Sequence, residues 1–128
     1  MSIQDRYPNA DILSQRGHWD DATRRVVMDR VHNVPDFKYF DEHQRATLGA
    51  LCERVIPQGH RPPGRRIPLA PWIDARCAGS HTDGFQLDSM PANPQAWTWG
   101  LLGLDQTAAA LVEDGARFAA VDASRQDA

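Results

Sequence analysis

Each stretch of helical periodicity in this chain is cut off by a proline or a glycine, so it can fold only into short helices joined by irregular loops. The stretch Asp20 to Asn33 carries an apolar stripe of Trp19, Thr23, Val26, Val27 and Val31 and is stopped by Pro35. Asp41 to Ile56 begins with a capping-box pair, Asp41 and Gln44, and ends at Pro57. Its Leu48, Leu51, Cys52, Val55 and Ile56 fall at the spacing of one buried helix face. A shorter helix is expected from Pro71 to Ala78, with Trp72, Ile73 and Cys77 on one face and Gly79 as its stop. Asn93 as cap and Pro94 as first residue open the last long helix, which should run to about Glu113, before Gly115. Its stripe is Trp97, Leu101, Leu104, Ala108, Leu111 and Val112. Beyond Phe118, Asp122 reads as the cap of one further helical turn.

This pattern implies an all-α fold: a small irregular helical domain of about four helices with long loops rich in proline, glycine and arginine. Residues 1–18 read as an N-terminal arm and residues 19–128 as a single domain, since 128 residues support one hydrophobic core. The apolar fraction of 41% and the charged fraction of 24% are too balanced for a disordered chain. A net charge of −3 argues against a nucleic-acid binder, which needs a basic surface to neutralise phosphates. No run of apolar residues is long enough to span a membrane. Met1 to Asn9 lacks the charged and apolar regions of a signal peptide, so the expected location is the cytoplasm.

Signatures of independent chemistry are missing. The sequence holds no phosphate-binding glycine loop, no nucleophile elbow and no H-E-x-x-H pair. His18, His32, His43, His60 and His81 are too scattered for a metal site with Cys52 or Cys77, and the two cysteines read as buried thiols in preference to a disulfide or redox pair. Ser80, His81 and Asp83 could be assembled into a catalytic set only on paper, because close sequence neighbours rarely reach the geometry of a triad. His43, in the first turn of its helix, reads as solvated or partner-facing.

Contact surfaces are better marked. Between Pro57 and Pro71 lie five prolines, two glycines and the arginines Arg61, Arg65 and Arg66. Loops longer than about 12 residues tend to serve a function. With His60, these arginines suit either a solvated loop or the binding of an anion or a carboxylate-rich partner. In the loop from Asp83 to Pro91, Asp83-Gly84 is a turn signal and Phe85, Leu87 and Met90 are the anchoring side chains. On the last long helix Ala96, Gly100 and Gly103 present a face with almost no side chain, which allows tight helix packing or close approach by a partner. Trp97 and Trp99 cannot share a helix face, so one packs inside and the other meets solvent or a partner. The candidate partner interface is therefore Arg61, Arg65, Arg66, Phe85, Met90, Trp99, Gly100 and Gly103.

Several strings also occur in a familiar order: Trp19-Asp20-Asp21-Ala22-Thr23-Arg24; Phe40-Asp41-Glu42-His43-Gln44-Arg45-Ala46-Thr47-Leu48; Val55-Ile56-Pro57-Gln58; Trp72-Ile73-Asp74; Asp83-Gly84-Phe85; Met90-Pro91; and Gly100-Leu101-Leu102-Gly103-Leu104-Asp105. Together the chain, from about Tyr7 to Ala128, resembles the gluconate 2-dehydrogenase subunit 3 family. Members are small helical subunits that accompany a flavin-dependent glucose-methanol-choline type dehydrogenase. The resemblance implies a non-catalytic accessory, structural or chaperone-like subunit of a complex oxidising CH-OH groups of sugars or polyols. It also implies no cofactor in this chain, FAD in a large flavin-dependent oxidoreductase partner, no catalytic residue here, and further C-terminal helices beyond the position of Ala128. The alternative from another class is a small helical anion- or ligand-binding regulatory protein.

Overall fold

The computed structural model describes residues 12–79, 84–112 and 115–127. Its contacts divide the chain into two compact units, Met1–Val34 and Pro35–Ala128. No strand occurs among the described residues, as the proline and glycine punctuation predicts.

In the first unit a 3-10 segment, Ile12–His18, leads into helix α1, Asp21–His32. Asp20 caps α1 by accepting from the Thr23 amide at 2.7 Å and from the Thr23 hydroxyl at 3.0 Å. These bonds, the Thr23 amide first, hold the Asp20 carboxyl below its usual range. Arg24 donates to the carbonyls of Arg16 and Trp19, at 3.1 and 2.8 Å, and ties the 3-10 segment to the helix. The string Trp19 to Arg24 is thus a helix start. Helix α1 buries none of its residues, and Val26 and Val31 of the expected stripe are exposed.

The second unit packs α2 (Glu42–Val55), α3 (Leu69–Ala78) and α4 (Asn93–Leu111) against one another. A 3-10 turn at Phe118–Ala120 lies against α2 and α4, and the single turn α5 follows at Ala123–Gln126. The Asp41–Gln44 capping box is complete, and Asp122 caps α5. Phe40, Leu48, Cys77 and Leu101 form the buried centre, flanked by Leu51, Cys52, Ala70, Ile73 and Trp97. Each large member removed from water contributes about 1.5–3 kcal/mol. Trp97 faces this core and Trp99 is exposed, as their spacing requires.

The helices depart from the expected bounds where tertiary packing overrides local signals. Val55 and Ile56 are exposed although they follow the helical stripe, and the buried face centres on Thr47 and Leu48 instead. Helix α3 starts at Leu69, and Pro71 sits third, still within the first turn whose N–H groups lack helical acceptors. Asn93 is the first residue of α4 and Ala92 its cap. The helix closes at Leu111, which is exposed, while Val112 is buried; Glu113 lies outside the described residues. Gly115 takes a φ of 66°, a left-handed conformation that turns the chain back toward Phe118.

Candidate functional site

Three polar side chains, Asp74 and Gln58 buried and Asp105 partly buried, fix the backbone on which the candidate surfaces stand. Asp74 is fully buried on α3, and its carboxylate accepts from three successive amides: Lys38 at 2.6 Å, Tyr39 at 3.1 Å and Phe40 at 2.8 Å. Burial pushes the Asp74 carboxyl up, but these three amides and the Arg45 charge outweigh it and hold it below the usual carboxylate range. Arg45 itself donates to the Phe40 carbonyl at 2.7 Å and lies 5.0 Å over the Phe37 ring.

Asp105 of α4 joins three elements. It accepts from His43 Nε2 at 2.6 Å, from the buried Thr47 hydroxyl at 3.2 Å and from the Phe118 amide at 3.1 Å. His43 is therefore not the solvated histidine its position in the first helical turn suggests; a carboxylate on α4 reaches it. Gln58 is the third. Its amide brackets Ile67, Oε1 accepting from the Ile67 amide at 2.6 Å and Nε2 donating to the Ile67 carbonyl at 2.9 Å. Glu53 accepts from the amides of Gln58 and Gly59, so the long proline-rich loop is held by the chain's own side chains.

One concave feature of this unit is an open groove of about 430 Å³ lined by Leu51, Met90, Asn93, Ala96, Trp97, Gly100, Leu101 and Leu104. It unites two predicted contact residues, Met90 and Gly100. No atom of another element lies within 4 Å of where a Cβ would stand on Gly100 or Gly103, so this small-residue face is not used for helix packing within the unit. Trp99 and Phe85 are 56% and 87% exposed, and Leu87, Met90 and Leu102 are also exposed. Arg61, Arg65 and Arg66 stand exposed on the separate loop between α2 and α3. The groove lining suits apolar side chains; it offers no cation for the pyrophosphate of a dinucleotide.

Cys52, partly buried, and Cys77, buried, are free, and burial pushes both thiols up. Among the described residues no group of three His, Cys, Asp or Glu stands close enough to hold a metal, and no helix is long and apolar enough to cross a membrane. Ser80, His81 and Asp83 lie outside the described residues.

Sequence reasoning missed Asp74 and Asp105 as acceptors, the first buried and the second partly buried. Their signal is positional. Asp74 falls one turn before buried Cys77, and Asp105 falls between buried Leu101 and Ala108, so each carboxylate interrupts an apolar stripe. Both also belong to the recurring strings, Trp72-Ile73-Asp74 and Gly100 to Asp105.

Searches of curated proteins and of solved structures returned no match. Residues 42–128, which begin at the first residue of α2 and make up more than half of the chain, match the family model for gluconate 2-dehydrogenase subunit 3, and the chain belongs to that family.

Proposed function

We propose that the chain is the non-catalytic small subunit of a flavin-dependent sugar or polyol dehydrogenase, bound to a large subunit that carries the FAD and the catalytic groups. The observation that carries this reading, beside the family match, is the apolar surface around α4. The groove, with Met90 in its lining, and the exposed Phe85, Leu87, Trp99 and Leu102, of which Trp99 and Leu102 lie on the side of α4 away from the groove, supply aromatic and aliphatic side chains of the kind that anchor interfaces. The open positions at Gly100 and Gly103 let another backbone approach α4 closely.

Co-expression with the large flavin-dependent dehydrogenase subunits encoded in the same genome tests the proposal. A 1:1 complex on size-exclusion chromatography is expected, together with higher yield or dye-linked activity of the large subunit. The chain alone should give no turnover of gluconate or related substrates with a dye acceptor. Failure to form a complex with any such subunit would sink the reading, as would turnover by the isolated chain.

A further inference from the structure

We propose that the loop 57–68 is a preformed electrostatic docking element, on which Arg61, Arg65 and Arg66 meet a carboxylate-rich surface of the large subunit. This rests on the subunit reading above and names a second contact, chemically distinct from the apolar groove. Three observations support it.

First, the loop's shape is set internally. Gln58 brackets Ile67, Glu53 holds the amides of Gln58 and Gly59, and the Arg61 amide donates to the Gln58 carbonyl at 2.8 Å. The amides of Arg65 and Arg66 close a 3-10 turn on Pro62 and Pro63. The arginines are thus presented on backbone that needs no ordering when a partner arrives, which removes much of the entropic cost of binding.

Second, no acid among the described residues forms an ion pair with them. The ion pairs among the described residues join Arg24 to Asp21, His43 to Asp105, Arg54 to Asp127 and Arg125 to Asp122, and none involves Arg61, Arg65 or Arg66. Glu53, the acid bonded to this loop, faces its amides. Arg66 Nε donates to the Arg61 carbonyl at 3.2 Å, which anchors that side chain on the turn.

Third, the sign is local. The whole chain carries −3, so three arginines within six residues are a stretch of opposite sign on an acidic protein. Guanidinium forks suit carboxylates. All three arginines are exposed and none lines the groove beside α4, a layout that suits a partner surface.

Patches of this kind act mainly on association rate and lose their effect with salt, whereas apolar anchors act on dissociation. The test is the binding kinetics of the full chain with the purified large flavoprotein subunit, comparing R61E/R65E/R66E with the charge-matched control R25E/R30E/R117E. The loop variant should associate about tenfold or more slowly at low salt, converge with the unaltered chain at about 0.5 M salt, and dissociate at an unchanged rate. A control slowed as much as the loop variant would reduce the effect to net charge and overturn the proposal. Association unaffected by loop reversal, or inorganic phosphate stabilising the unaltered chain but not the loop variant while both bind the flavoprotein alike, would overturn it too and leave the subunit reading standing. If the unaltered chain binds no large subunit, the subunit reading itself fails.

Discussion

The loops on either side of α3 solve one problem with the same residue and end up with opposite surfaces. Loop 57–68 is closed by Gln58, which is 6% exposed and bonds both the amide and the carbonyl of Ile67. Loop 84–92 is closed by Gln86, which is only half-buried and donates from one nitrogen to the Pro91 carbonyl and the Asn93 side chain. The first displays arginines and the second Phe85, Leu87 and Met90. A tightly bracketed loop can project charge along a fixed direction, while a looser one can let apolar side chains adapt to what they touch. Their division of labour would be long-range attraction by one and short-range adhesion by the other.

The largest effect should come from what both loops share, their attachment to α3. Asp74→Ala strands three amides at Lys38, Tyr39 and Phe40, and a loss of about 4 kcal/mol is expected in urea denaturation. A loss of less than about 1 kcal/mol would mean that α3 is not the common support. Acid tests the same residue without mutation. Because the Asp74 carboxyl is held low in the folded state, its contribution is whole at neutral pH and begins to fade near the unfolded value of about 3.9. It is lost as pH falls through the folded-state value. Asp20 and Asp122 are also held low, so the part of the acid slope that disappears in Asp74→Asn is the part to compare.

Next in size is the difference between the glutamines. Gln58→Ala should cost about 2 kcal/mol by removing a buried amide that makes two bonds, and Gln86→Ala about 1 kcal/mol or less. Equal losses by thermal denaturation would erase the contrast between the loops. Smallest in stability, at under about 0.5 kcal/mol, is Trp99→Ala, since that ring is exposed. Its effect should appear only in faster dissociation of the complex; unaltered dissociation would remove Trp99 from the interface.

Local signals were legible in the sequence. The Asp41 and Asp122 caps, the stops at Pro57 and Gly79, and the outward Trp99 all depend on residues within one turn of each other. What could not be read depends on distance along the chain. Asp74 meets amides 34 to 36 residues away and Asp105 meets His43 62 residues away, so the stripe positions of the two carboxylates hint at their burial but nothing local names their partners. Val55 and Ile56 obey helical periodicity and are still exposed, because periodicity marks a face and tertiary packing decides which part of it is covered. For the site, composition found the arginines and the apolar loop, while the groove had to wait for Leu51 of α2 to meet Trp97 and Gly100 of α4. The string Trp19 to Arg24 lies ahead of the stretch that matches the family, and its residues are accounted for by the start of α1 alone.

Three consecutive peptide N–H groups aimed at one carboxylate are, in chemical terms, an anion receptor made of backbone. Here the receptor at Lys38 to Phe40 is filled by the protein's own Asp74, so it is closed to outside anions as long as α3 stays docked. Its protons should then exchange with solvent as slowly as those in the middle of α2, although they belong to neither helix nor strand. A stretch that looks like a linker would keep time with the core, and its exchange rate would report directly on how often α3 lets go.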